Sequence, residues 1–278
     1  MCFYLNKISM QNFSSLVNVF MNKQWNLNVK EESGLFNRIS RLLESLNDNQ
    51  QRCFIKLLEL FDYYTVGNYE VMLTKVLKKM KYELKCNKYV FVPIISERDN
   101  RDIKSSMLVT YLLKSNTIQF DNELSKMKKT LQLDLDKSQI KNINNRETYL
   151  VLVDDFIGSG NSAIDTANYF VEKGIKKEKI VVLSLVTMKK GIESIMQSDF
   201  KFYYSILSLS LSERIEESEL DEIKGNIISI SEKMKIPSDG CWGFDDSEAL
   251  LSMIRIPNNT LSLLWKGEPK ENVPFPRC

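Results

Sequence analysis

Tyr149-Leu150-Val151-Leu152-Val153-Asp154-Asp155-Phe156-Ile157-Gly158-Ser159-Gly160-Asn161-Ser162-Ala163 is the stretch of this 278-residue chain whose residue types and spacing suit chemistry. The adjacent carboxylates of Asp154 and Asp155 can accept hydrogen bonds from vicinal hydroxyls. The small residues that follow let backbone N–H groups approach an anion, and a helix starting near Ser162 adds the positive end of its dipole. A diol on one side and a phosphate on the other match a ribose 5-phosphate.

Such a site has to be carried on a particular frame. The apolar run before the acids predicts a strand buried on both faces. A strand of that kind delivers its last residues to the carboxyl edge of a parallel sheet, where open α/β folds bind ligands. Competing readings of the same letters explain less. Gly158-Ser159-Gly160-Asn161-Ser162-Ala163 fits a dinucleotide fingerprint, which also requires a carboxylate at the end of the next strand, about 20 residues on. The next strand, Ile180 to Thr187, is followed by Met188-Lys189 and carries no acid. A phosphate loop of the Gly-Lys-Ser/Thr type has no match either. The plain alternative is a strand–turn–helix whose aspartates only cap turns.

The stretch resembles the signature of the type I phosphoribosyltransferases: four apolar residues, two acids, then a run of small residues. The resemblance implies that Asp154 and Asp155 hold the ribose 2′- and 3′-hydroxyls of phosphoribosyl pyrophosphate. It implies that Ile157, Gly158, Ser159, Gly160, Asn161 and Ser162 cradle the 5′-phosphate, with Ser159 and Ser162 standing where Thr is usual. Purine-6-oxo members carry an Asp at the position of Gly158, so a hypoxanthine/guanine enzyme is not expected. The family also grips diphosphate in the loop after its first sheet strand, which here is Ser96 to Ser106. Arg98, Arg101 and Lys104 would neutralise the diphosphate, and Ser105 and Ser106 would donate to it; a solvated surface loop reads equally well. A flexible loop that closes over the reacting centre corresponds to Asp121 to Arg146, with Lys126, Lys128 and Lys129; a lysine-rich disordered linker reads equally well. Mg²⁺, carried mainly by the diphosphate and water, is the implied cofactor.

Composition agrees with that inventory. Histidine is absent, which removes imidazole bases and histidine-ligated zinc. Apolar residues make up 43 % and charged residues 27 %, the balance of a globular chain. With 38 basic against 36 acidic residues the net charge is +2, which argues against non-specific nucleic-acid binding by the whole surface. No apolar run reaches the roughly 18 residues of a membrane span. Met1-Cys2-Phe3-Tyr4 has no signal-peptide character, and the five cysteines are scattered. Reduced thiols and a cytoplasmic location are expected.

Residues 8–84 show helical spacing, for example Leu35, Ile39, Leu42, Leu43 and Leu46, and predict four helices. From Lys88 the pattern alternates β and α: a strand at 89–95, a helix from Ser105 to Lys114, at most a short strand at Thr117–Phe120, the acidic strand, a helix from Ser162, and strands at 180–187 and 200–207. The expected fold class is therefore α/β, a parallel-sheet phosphoribosyltransferase-like fold with an N-terminal helical domain. The expected boundaries are 1–84 for the helical domain and 85–278 for the sheet domain with an aromatic tail. A charged helix is expected from Ser212 to Lys235.

That tail, from Cys241-Trp242-Gly243-Phe244 through Ile256-Pro257-Asn258-Asn259 to Pro274-Phe275-Pro276-Arg277, resembles phosphoribosyltransferase-like proteins of bacterial conflict systems. Some of these are encoded beside retron reverse transcriptases. The resemblance implies an anti-phage effector, with a reverse transcriptase and its multicopy single-stranded DNA (msDNA) as partners. A non-catalytic nucleotide sensor or scaffold subunit remains open beside it, as does an oligomeric state. Trp242 and Trp265 would stack an acceptor base, or else anchor the tail on the core.

Overall fold

The computed structural model describes residues 7–25, 34–86, 88–95, 103–145 and 147–277. In chain order it begins α1 (Met10–Lys23), α2 (Leu35–Glu44), α3 (Asp48–Leu60), β1 (Asp62–Tyr63) and α4 (Val66–Leu84). Next come β2 (Lys88–Pro93), α5 (Ser105–Leu112), α6 (Asn116–Phe120), β3 (Lys128–Leu131) and α7 (Lys137–Asn145). The third stretch is β4 (Thr148–Ile157), α8 (Asn161–Glu172), β5 (Ile180–Met188), α9 (Lys189–Gln197) and β6 (Lys201–Ser208). The chain finishes with α10 (Leu211–Arg214), α11 (Glu217–Lys233) and β7 (Leu251–Ser252). No helix among the described residues is long and apolar enough to cross a membrane.

The chain divides into two compact units: residues 1–63 with 209–278, and residues 64–208. This differs from the expected boundary at 84/85 in two respects. Helix α4 belongs with the sheet, because its Tyr69, Leu73, Val76 and Leu77 are fully buried in that unit. The tail belongs with the N-terminal helices, because Leu261, Leu263 and Leu264 share one core with Leu16, Phe20, Leu57 and Ile227. Side-chain spacing within a helix shows that a face is apolar, not which surface covers it.

In the first unit, Asn47 and Gln50 form a reciprocal cap at the start of α3 (2.9 and 3.1 Å). A buried polar knot joins α1 to α3: the Asn12 amide donates to Asp48 Oδ1 at 2.8 Å and to Gln51 Oε1 at 2.9 Å. The Gln51 amide in turn donates to the carbonyls of Leu43 and Leu46. Arg214 donates to the Leu60 carbonyl and pairs with Asp62 at 2.7 Å, beside the short parallel pairing of β1 with β7. Cys53 is a free, buried thiol whose pKa is pushed up to about 12 by burial, so it packs as a small hydrophobe.

The second unit is a parallel sheet in the order β3-β2-β4-β5-β6. Every residue of β5 is buried, as a strand covered on both faces should be. Helices α7, α8 and α9 contribute Ile143, Ala163, Ala167, Phe170 and Ile195 to one layer, with Leu150 and Leu152 of β4 and Val90 and Val92 of β2. Helices α4 and α5 pack on the sheet as well, and Val151 and Val153, of opposite parity, lie outside the α8 layer. The stretch 115–147 departs from expectation. Thr117–Phe120 is helical, within α6, and the segment expected as a flexible loop contains β3 and α7. β3 is an edge strand, where lysine is tolerated on the solvent side.

Candidate functional site at the carboxyl end of β4

Strand order reverses between β2 and β4: the strand after β2 lies outside it, and β4 lies on its other side. Crossovers then leave in opposite directions and open a crevice at the carboxyl ends of these two strands. The acidic pair lies two residues before the end of β4, just past the last residue paired with β2, and the start of α5 reaches it through Ser105.

The two acids differ in setting. Asp154 is half-buried and in register with Ser184 of β5, and its Oδ1 accepts the backbone N–H of Asp155 at 2.9 Å. Asp155 is only 4 % exposed. Its Oδ2 accepts the hydroxyl of fully buried Tyr69 at 2.7 Å, and its Oδ1 accepts the hydroxyl of Ser105 at 2.6 Å. A buried carboxylate needs such donors, and two hydroxyls supply them.

The loop after β4 turns sharply. Gly160 is the N-cap of α8 with φ +88°, a left-handed conformation that favours glycine. Glycine brings no capping side chain, so the first-turn N–H groups of α8 point to the loop, as an anion cradle requires. Asn161 and Ser162 are exposed there, Ser159 is half-buried, and Ile157, Gly158 and Gly160 are buried. Thr187 of β5 donates to the Ile157 carbonyl at 3.1 Å and fixes the base of the loop. Gly191 of α9 presses on its back.

Of the expected diphosphate residues, Arg98 and Arg101 lie outside the described residues. Lys104 is the N-cap residue of α5. Ser105 and Ser106 each have one side-chain O–H, and both hydroxyls are given to partners within the protein. Ser105 donates to Asp155 and Ser106 to the Ile94 carbonyl at 2.8 Å. Trp242 and Trp265 belong to the first unit and pack partly buried against its core. The Trp265 indole N–H donates to the Thr260 carbonyl at 2.9 Å, with Lys266 and Arg277 over its ring, and Lys224 lies over Trp242. Sequence reasoning missed Tyr69, Thr187 and Gly191: a tyrosine in a helical apolar pattern, a threonine at a strand end and a glycine after two lysines carry no signal of a site.

Among the described residues no group of three or more His, Cys, Asp or Glu side chains could hold a metal ion. Mg²⁺ held by one or two carboxylates plus a ligand's phosphates needs no such cage, and half-buried Asp154 is an oxygen donor of the right kind for it.

A parallel α/β sheet with an acidic pair and a glycine loop at its switch point is the architecture of a phosphoribosyltransferase-like protein. The chain matches the PRTase-CE family over residues 39–277 and belongs to it. No curated protein matches the chain. It is similar to solved structures at low identity. One is an adenine phosphoribosyltransferase of Giardia lamblia in complex with 9-deazaadenine, at 17 % identity and TM-score 0.30, covering 49 % of this chain and 78 % of that one. Another is a purine phosphoribosyltransferase of Pyrococcus horikoshii, at 12 % identity and TM-score 0.34, covering 53 % and 87 %. A third is an orotate phosphoribosyltransferase of Aeropyrum pernix, at 14 % identity and TM-score 0.31, covering 60 % and 76 %.

Proposed function

We propose that this protein binds phosphoribosyl pyrophosphate, or a related ribose 5-phosphate ligand, with Mg²⁺ and transfers the phosphoribosyl group. The observation that carries the reading is the left-handed turn at Gly160, which leads an uncapped helix N-terminus into the loop directly after the acidic pair. Ile157 to Ser162 hold the 5′-phosphate, and the carboxylate end of β4 receives the ribose hydroxyls. Held at both ends, the ribose is oriented for cleavage of its C1–diphosphate bond through a transition state with oxocarbenium character. Asp154 is the residue that would hold Mg²⁺ together with the ligand's diphosphate, and the ion would supply charge neutralisation for the leaving group. Lys104, at the start of α5, adds basic charge on the leaving-group side.

The tail's resemblance to conflict-system proteins supports a cytoplasmic effector role in anti-phage defence, with a retron-type reverse transcriptase and its msDNA as partners. Unrestrained expression should then slow growth, and Asp154→Asn should relieve it at equal protein level. The direct test is a titration with phosphoribosyl pyrophosphate, with and without Mg²⁺, read by thermal shift and by release of diphosphate. Ligand at about 100 times its Kd adds about 2.7 kcal/mol of stability. A protein that shows neither shift nor turnover with Mg²⁺ present refutes the reading; a shift without turnover in any acceptor screen supports the sensor instead.

A further inference from the structure

Adjacent residues of an extended strand project to opposite faces of the sheet, so the two carboxylates near the end of β4 cannot both meet one ligand in the same way. Leu150 and Leu152 share parity with Asp154 and lie in the layer of α8, the helix whose N-terminus follows the phosphate loop. Asp155 has the other parity and meets Tyr69 of α4 and Ser105 of α5. At 4 % exposure it offers a sugar almost no surface.

We propose that Asp154 alone of the pair contacts the ribose diol, and that Asp155 is a positioning residue held by Tyr69. The inference rests on the ribose-phosphate reading and departs from the resemblance, in which both acids hold the diol. The Asp155 N–H donates to Asp154 Oδ1 and in doing so orients the side chain. The route runs from the Tyr69 hydroxyl to the Asp155 carboxylate, and from the Asp155 backbone to Asp154. Ser105 adds the second clamp, at the start of the helix that follows the expected diphosphate loop.

The test compares ribose 5-phosphate with 2-deoxyribose 5-phosphate by calorimetry, together with inorganic phosphate and the melting temperature. Wild type should prefer the ribose ligand by tenfold or more. Asp154→Asn should bring the preference within twofold at an unchanged melting temperature. Tyr69→Phe should lower the melting temperature and narrow the preference about threefold, while leaving affinity for inorganic phosphate unchanged. That last split is one a merely structural tyrosine would not produce. Asp155→Asn should lose stability first. If it does not fold, Tyr69→Phe and Ser105→Ala, which keep the carboxylate, decide the matter. Loss of preference in Asp155→Asn at unchanged stability, an intact preference in Asp154→Asn, or an unchanged preference in both hydroxyl variants overturns the division of roles. A wild type that binds neither sugar overturns the ribose-phosphate reading, and this inference falls with it.

Discussion

A Cβ built on Gly191 would lie 2.8 Å from the carbonyl oxygen of Gly158, and 2.9 Å from the Ile157 side chain. Helix α9 and the loop after the acidic pair are therefore in backbone contact, and only glycine fits between them. Gly191→Ala should force the loop outward, because the atoms it meets first include backbone that cannot rotate away. Overpacking of this kind costs about 1–3 kcal/mol. Inorganic phosphate affinity should fall with it, measured by calorimetry alongside chemical denaturation. Unchanged phosphate binding in this variant would mean that the loop is not the anion site.

Gly160 is constrained twice. Its φ of +88° suits glycine, and a Cβ would come within 3.3 Å of the Gly191 carbonyl and of the Ser194 side chain. Gly160→Val should cost about 1–3 kcal/mol for the backbone conformation alone. It should also abolish phosphate-dependent thermal stabilisation, which a shift assay with and without phosphate reads directly.

Gly225 gives the opposite sign. It lies inside α11 with no heavy atom near its built Cβ and no left-handed φ. Gly225→Ala should stabilise by about 0.4–1 kcal/mol, through lost freedom of the unfolded chain. Urea denaturation checks this, and ligand affinity should not move. Gly174 also has open space, but its φ of +98° makes alanine strained there.

Acid should weaken the first unit through Glu248. Burial alone would push its carboxyl up. The Lys224 ammonium at 2.7 Å and the hydroxyl and N–H of Ser212 outweigh burial and hold it below the usual glutamate range. A depressed carboxyl contributes its stability above the ordinary glutamate range and loses it as pH falls through the lowered value. Glu248→Gln should therefore cost about 1.5–3 kcal/mol at neutral pH, and flatten the loss of stability below about pH 4.5. Denaturation midpoints of both proteins between neutral and acid pH test the slope.

Much of the sheet could be read from residue order. The runs at β2, β4 and β5 are apolar and bounded by polar turns, and strands buried on both faces leave that mark. β3 left none, because an edge strand half in solvent can be Lys128-Lys129-Thr130-Leu131 and still pair with β2. Thr117 to Phe120 was ambiguous for a related reason: four residues carry no period, and the chain settled them as helix.

The acids, the glycine loop and the helix after them are contiguous in sequence, and local backbone chemistry keeps them together wherever the strand goes. The sequence alone determined those parts, and with them the kind of ligand they suit. It could not decide that the two aspartates face different layers with different neighbours. Tyr69 stands 86 residues from Asp155, Ser105 stands 50, and Gly191 reaches Gly158 only through the crossover of α8 and β5. Those contacts join residues distant along the chain and exist only once the sheet order is set. Folding, not residue order, made one carboxylate of the pair a buried anchor and left the other half-exposed at the crevice.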